Sequence, residues 1–426
     1  MNCKKVLTVL HLGENLLNVQ TRYLENAIRD HLTRLRQMVF LVGPRQVGKT
    51  TLAKKMLSSV VDGVNYFNWD LADHRKLLST SIFPGKMRLN QPEQQIIVFD
   101  EIHKYPRWKN TLKGLFDLYE PQTHWIVTGS AGLNVYRKGQ DSLLGRSFTY
   151  HLCPLSVAEL AFNGNPKPLS ADDLFRHSFA ESLPEDQTFF ERLLSFSGFP
   201  EPYFQANEQF LSQWRTTRLE RLLNQDLAAT EHLRNLALVE QLMFLLPHRV
   251  GSPLSLNNLR EDLEVHFNTV KHWLALLERT FYGFTLYPYS SRLSRLIKKE
   301  AKWYLWDWTE VKDEGSRFEN LVAVHLLKYV SYVNDLGLDR LTLHYIRDKE
   351  KREVDFLICK ERKPYLLIEC KNSSDDPHPA LFYFADKLKT ARAFQLIANP
   401  IRSRSHLKAG IQVDLISAAS FLKMLA

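Results

Sequence analysis

Cysteine is scarce and scattered: Cys3, Cys153, Cys359 and Cys370 are spread over 426 residues with no C-x-x-C pair. That spacing argues against a disulfide framework or a cysteine-built zinc site and fits a reducing, cytoplasmic setting. Long apolar runs are missing too. The stretch "VLTVLHL" after Lys4 and Lys5 passes into Gly13-Glu14-Asn15 without a clear cleavage site, which argues against a signal peptide. No uninterrupted apolar segment approaches the ~20 residues of a membrane span, so no membrane partner is expected. Neither an internal repeat nor a low-complexity tract is visible. Acidic residues are outnumbered by basic ones, giving a net charge of +9. Such an excess favours an anionic partner such as nucleic acid, without naming one.

What is present is an ordinary globular balance, in a chain too long for one average core. The segment "MVFLVGPRQVGKTTLAKKML" reads as a buried strand, a glycine loop and a helix. Its loop fits G-x-x-x-x-G-K-[ST] in full: Gly43, Pro44, Arg45, Gln46, Val47, Gly48, Lys49, Thr50, with Thr51 following. Gly43 and Gly48 let backbone amides curl around phosphate oxygens, and the helix that follows points its positive end at them. Lys49 is placed for the β- and γ-phosphates and Thr50 for Mg²⁺. ATP and Mg²⁺ are the expected cofactors.

The run "QQIIVFDEIHKY" suits a strand buried on both faces that ends in a carboxylate pair. Asp100 is the second candidate Mg²⁺ partner. Glu101 is the candidate base that orients or activates water. The strand "HWIVTGSAGL" ends in Thr128 and Ser130, either γ-phosphate sensors or a cap for the next helix. Arg146, just before "SFTYH", is a candidate for neutralising charge on the γ-phosphate, in its own subunit or a neighbour's. A surface ion pair is the plainer use for it.

From about Ala171 to Asn235 the apolar spacing is helical, with a turn at Gly198-Phe199-Pro200. Arg221 and Asp226 in this stretch could reach the nucleotide, or simply lie on an exposed face. Beyond it come a helix over "VEQLMFLL", a second opened by Ser255, a third opened by Asn268 as N-cap, and the strand-like "YGFTLYPYS". That succession describes a winged helix, used either on DNA or for packing.

The segment "REVDFLICKERKPYLLIECK" has strand character on both sides of Lys360–Pro364. A turn centred on Arg362 sets Asp355 opposite Glu369, with Lys371 on the same face as Glu369. Facing carboxylates repel, and a divalent cation between them would relieve this. Lys371 would then assist, and Glu319, on the helix "GSRFENLVAVHLLKYV", would position metal or water. This is the arrangement of metal-dependent nucleases of the PD-(D/E)xK type. A solvated hairpin with a Lys371–Asp355 salt bridge is the alternative.

Taken together, "GPRQVGKTTL", "IIVFDEIHK", "VTGSAGL", "GRSFTYHLCPLSVAEL", "GFPEPY", "KWYLWDW", "SRFENLVAVHL" and "REVDFLI…LLIECK" resemble a bacterial and archaeal group. In that group an AAA-like P-loop ATPase is joined to a C-terminal domain of unknown function. The resemblance runs from Arg22 to about residue 420. It implies ATP binding by Gly43 to Thr51, a Walker B pair at Asp100 and Glu101, a middle winged helix and a restriction-endonuclease-like end. Asp355 follows Val354 rather than the proline of the nuclease motif. The resulting expectation is an α/β P-loop NTPase with a parallel sheet between helices, then a helical lid, a winged helix and a nuclease-like α/β domain. The expected bounds are an N-terminal segment 1–20, an ATPase core 21–165, a lid 166–236, a winged helix 237–300 and a nuclease-like domain 301–426. The chain is expected to bind and hydrolyse ATP while acting on DNA, with a metal-dependent nuclease-like domain coupled to nucleotide state. The alternative is a regulatory ATPase switch whose C-terminal domain binds a partner without cutting. Self-association through the ATPase domain is a further expectation.

Overall fold

A computed structural model describes residues 21–57, 65–78, 95–119, 123–129, 143–179, 182–227, 235–290, 300–390 and 392–426. Its first layer is a five-stranded, all-parallel sheet. The strands are β1 (Met38–Val42), β2 (Tyr66–Asn68), β3 (Gln95–Asp100), β4 (Thr123–Gly129) and β5 (Ser147–His151), in the order β2-β3-β4-β1-β5. All five residues of β1 are buried, as a central parallel strand covered on both faces requires. Alternation assigns the faces. Phe40, Val42, Phe99 and Val127 pack with Trp108 and Phe116 of α4 (Trp108–Tyr119) on one side. Val39, Leu41, Val98 and Ile126 join the main core on the other. Around this sheet lie α1 (Glu25–Arg34), α2 (Lys49–Leu57) and α3 (Ala72–Leu78).

The chain then turns helical: α5 (Val157–Ala161), α6 (Ala171–Arg176), α7 (Pro184–Phe196), α8 (Pro200–Gln205) and α9 (Glu208–Arg221). The turn expected at Gly198 is there, between α7 and α8. The next unit contains α10 (Leu236–Leu245), α11 (Leu256–Asp262) and α12 (Phe267–Arg279), followed by the antiparallel pair β6 (Gly283–Leu286) and β7 (Lys302–Leu305). Ser255 caps α11 by accepting from the Asn258 amide. Asn268, expected as the N-cap of α12, lies instead inside its first turn; His266 is at the cap and makes no side-chain capping bond. The pairing of β7 with β6 carries this unit past residue 300, because "KWYL" completes a hairpin rather than opening the next domain.

The C-terminal part starts with the long helix α13 (Glu314–Asp335). The strands β8 (Leu341–Arg347), β9 (Glu353–Lys360) and β10 (Lys363–Lys371) form an antiparallel run. After α14 (Pro379–Leu388) come β11 (Arg392–Ile397), β12 (Arg404–Lys408), β13 (Ile411–Ser417) and α15 (Ala418–Leu422). The sheet order is β12-β13-β11-β10-β9-β8, with β10, β11 and β13 parallel. One face packs on the main core through Phe356, Ile358, Ile368 and Phe394. The other is covered by Leu381 and Phe384 of α14. The outer edge of β8 is met by residues 287–289: the Tyr289 amide donates to the Tyr345 carbonyl and the Tyr345 amide to Tyr287. A pairing edge is thereby shielded. No helix among the described residues is long and apolar enough to cross a membrane.

Candidate functional site

The phosphate loop leaves the carboxyl end of β1, the central strand, and opens α2, which is where open α/β sheets bind ligands. Gly43 is a glycine by necessity. Its φ is +152°, and a Cβ there would stand 2.2 Å from the Leu152 carbonyl oxygen. Gln46 takes a left-handed φ of 62° to turn the loop. The Lys49 ammonium is buried and donates to the carbonyls of Gly43 (2.8 Å) and Pro44 (2.6 Å). Thr50 Oγ1 donates to Asp100 Oδ2 at 2.9 Å, so the two candidate Mg²⁺ partners stand side by side. Asp100 also accepts from Thr128 Oγ1 and, at 2.5 Å, from the Tyr66 hydroxyl. Burial and then the Asp100 carboxylate push the Tyr66 phenol upward, so it remains a donor.

Glu101 turns out of β3 with a left-handed φ of 56°. Its Oε2 lies 3.2 Å from Lys104 Nζ and 3.8 Å from His103 Nε2. Burial holds the His103 imidazole below its usual range. Arg45, Gln46, Gly48, Lys49, Thr50, Thr51, Asp100 and Glu101 all line one cleft of about 500 Å³. Its far wall is built by Arg218, Arg221 and Thr280, from the helical region and the end of α12. Arg221 thus reaches the cleft. Arg218 is buried beside Glu310 (3.3 Å) and over the Phe199 ring (4.6 Å). The donor set suits a nucleotide with Mg²⁺: an ammonium, a hydroxyl–carboxylate pair and a glycine loop ending in a helix.

One expected participant stands elsewhere. Arg146 precedes β5, whose first residue pairs with Met38 at the start of β1, so it lies at the sheet end opposite the loop. Its guanidinium makes a two-point contact with Asp117 of α4, at 2.7 and 3.1 Å. As a residue acting in its own subunit it is therefore corrected: the fold carries it away from the cleft. Ser130 lies outside the described residues, as do 1–20.

The C-terminal cluster assembles with one unexpected member. Glu361 and Arg362 form the turn between β9 and β10, both with left-handed φ (48° and 66°). An irregularity between Pro364 and Leu366 then shifts the register, giving Leu367↔Leu357 and Ile368↔Phe356. Continued by one residue, this sets Asp355 across from Glu369. The Asp355 amide donates to Glu369 Oε2 (3.2 Å), and the Cys370 amide to Asp355 Oδ2 (2.9 Å). Lys371 pairs with Glu369 at 2.7 Å, rather than with Asp355. Burial and then the Asp355 charge push both Glu319 and Glu369 above the usual carboxylate range.

The member not anticipated is Lys302, from β7. Its Nζ lies 3.0 Å from Glu319 Oε1, 2.7 Å from Glu353 Oε1 and 3.4 Å from Asp355 Oδ1. Burial opposes its charge, but Tyr304 and the carboxylates outweigh burial and raise it well above the usual lysine range. Among the described residues no group of three or more His, Cys, Asp or Glu is arranged to hold a metal ion. The oxygens expected to bind one already accept from ammonium and amide groups. As built, Asp355 and Glu369 do not fit a divalent cation. The only sequence signal for Lys302 was a lone lysine opening an otherwise apolar strand.

Comparison with known proteins matches three stretches of the chain. Residues 35–161 match the AAA domain family; residues 187–309 and 314–414 match two domains of unknown function, DUF8612 and DUF4143. An uncharacterized protein of Methanocaldococcus jannaschii is 25% identical over 334 residues, covering 68% of each chain. One of Mycobacterium tuberculosis is 23% identical over 350 residues, covering 79% of this chain and 72% of that one. Among solved structures, the Aeropyrum pernix ORC1 protein in complex with DNA aligns at 15% identity and TM-score 0.29, over 71% of this chain and 92% of that chain. The Bacillus subtilis DNA clamp loader delta protein aligns at 12% identity and TM-score 0.28, over 74% and 99%. With its parallel sheet, glycine loop and Thr50–Asp100 pair, the N-terminal part of this chain is an AAA-like P-loop nucleotide-binding domain.

Proposed function

We propose that the chain is an ATP- and Mg²⁺-dependent ATPase that works as a switch, with its C-terminal α/β domain as the responding element. The observation that carries the ATPase reading is the Thr50–Asp100 contact of 2.9 Å beside the buried Lys49. Thr50 and Asp100 would hold Mg²⁺, which when bound supplies positive charge to the phosphate oxygens. Lys49 would exchange its two loop carbonyls for phosphate oxygens, and Arg221 faces the same cleft as a further cation. Glu101 would orient the attacking water once released from Lys104.

The switch reading rests on what α13 touches. Its Lys328 binds Glu159, which binds Arg22, which holds the Val47 carbonyl inside the phosphate loop. Lys328 and Glu319 lie nine residues apart on that helix, roughly 13 Å along its axis. A rearrangement of the loop on nucleotide binding therefore has a continuous packed route to the C-terminal cluster. The helical unit with its β6–β7 hairpin and the net positive charge make DNA the partner to test first.

A metal-dependent nuclease is the second reading: Asp355 faces Glu369 with Lys371 beside it, and a metal there would have to displace the ammonium and amide donors that hold these oxygens. The deciding experiment measures ATP turnover with and without DNA, alongside plasmid nicking in Mg²⁺ or Mn²⁺. Turnover that Lys49→Ala lowers by ~100-fold or more, with no nicking by the natural protein, supports the switch. Nicking that disappears in Glu369→Ala would establish the nuclease instead. Absence of any nucleotide turnover or binding would overturn the ATPase reading.

A further inference from the structure

Three carboxylates from the C-terminal part, Glu319 of α13 with Glu353 and Asp355 of β9, converge on the Lys302 ammonium. Lys302 itself comes from the hairpin of the middle region, and its side chain is 0% exposed. The hairpin contributes more than one group. Tyr304, two residues further along β7, donates its hydroxyl to Glu319 Oε1 at 2.6 Å. Asn320 clamps the next hairpin residue in both directions, accepting from the Leu305 amide (2.9 Å) and donating to its carbonyl (2.7 Å). Gly251, also of the middle region, approaches so closely that a Cβ on it would stand 3.1 Å from Glu319 Oε2.

A divalent cation and an ammonium compete for the same oxygens. Calcium or magnesium needs several oxygen ligands at about 2.0–2.6 Å. Here Glu319 Oε1 and Asp355 Oδ1 face Lys302, Asp355 Oδ2 accepts from the Cys370 amide, and both Glu369 oxygens accept from Lys371 and the Asp355 amide. Removing Lys302 would leave its three carboxylates crowded together, with Arg347 offsetting only Glu353 at 2.9 Å. We propose that Lys302 is the resident cation of this cluster. It takes up oxygens of Glu319 and Asp355 that a nuclease-type site would offer to a divalent metal ion. The cluster therefore takes no metal and serves as a charged joint between the hairpin and the C-terminal sheet. This inference goes beyond the ATPase reading and does not depend on it.

The test is Mn²⁺ uptake by the nucleotide-free full chain, with free Mn²⁺ followed by electron paramagnetic resonance. The natural protein and Asp355→Asn should take up Mn²⁺ equally. Lys302→Met should gain one saturable site per chain, lost again when Asp355→Asn is added. One Mn²⁺ per natural chain that Asp355→Asn removes overturns the proposal. A folded Lys302→Met variant that gains no site overturns it as well. Should Lys302→Met fail to fold, the comparison of the natural protein with Asp355→Asn still decides. Because nothing in this measurement involves nucleotide, its failure is separable from failure of the ATPase reading.

Discussion

Arg22 donates a hydrogen bond to the main-chain carbonyl of Val47 at 2.5 Å, so a side chain from ahead of the sheet grips the inside of the phosphate loop. The same guanidinium reaches the Cys153 carbonyl (2.6 Å) and Glu159 (2.8 Å), and the other Glu159 oxygen takes Lys328 of α13. Burial alone would raise the Glu159 carboxyl; Arg22 and Lys328 outweigh it and hold it at about 2. Glu159→Gln would leave two buried cations facing a neutral group. It should cost roughly 3–5 kcal/mol of stability, the scale for breaking a buried ion pair on one side. Denaturant unfolding checks this. Combining it with Lys328→Met should cost less than the two changes summed, because they share one network. Additive losses would show that the array is not a unit.

Arg146 should be dispensable for nucleotide binding by a single chain, since it pairs with Asp117 at the far end of the sheet. Arg146→Ala is expected to leave the ATP dissociation constant within about twofold, the range of a change with no contact to the site. A turnover defect that grows with protein concentration would instead place Arg146 in a neighbouring subunit's cleft.

Glu310 gives the stability a pH dependence of definite sign. Burial and then Asp307 raise its carboxyl to about 7, with Arg218 offsetting only part. Between the ordinary value of 4.5 and about 7 the folded state therefore holds more protons than the unfolded one. Stability contributed by this group is greatest below that window and falls as pH rises through it. The full decline is about 3 kcal/mol at most. Glu310→Gln should flatten that slope in unfolding measured from pH 4.5 to 7.5. A slope unchanged in the variant would assign the effect to other groups.

Gly198 should not tolerate a methyl group. A Cβ there would stand 2.6 Å from Trp308 Cη2, 2.8 Å from Pro154 Cβ and 3.0 Å from the Leu155 carbonyl oxygen. Trp308 cannot swing aside freely, because its indole donates to the Leu193 carbonyl at 2.8 Å. Gly198→Ala should destabilise by roughly 1–3 kcal/mol, the usual cost of overpacking. Thermal unfolding would show it, and an unchanged midpoint would mean the contact relaxes.

The nucleotide site was legible because its parts are local. Gly43 to Thr51 lie within one turn and one helix start, and Asp100 ends a strand whose apolar run marks it as buried. The facing of Asp355 and Glu369 was also legible, since a hairpin turns sequence distance into register. Yet the centre of symmetry came out at Arg362 only because an irregularity after Pro364 displaced a turn that is itself Glu361-Arg362. Arg146, left open between its own subunit, a neighbour's and a surface ion pair, could not be placed for the opposite reason. Closeness in sequence to the core motifs says nothing about which end of a parallel strand a residue occupies.

By itself, then, the sequence determined the elements whose chemistry is written in contiguous residues: the phosphate loop, the carboxylate at the end of β3, the helical middle and the hairpin of β9 and β10. Only the tertiary structure decided what met across long separations. It brought Tyr66 onto Asp100, Arg221 and Thr280 onto the nucleotide cleft, and Lys302 among carboxylates up to 53 residues away. The reason is physical. Local hydrogen bonding and periodicity fix what a segment is, whereas buried charge is settled by whichever partner the packing delivers, and no spacing in the chain announces that partner.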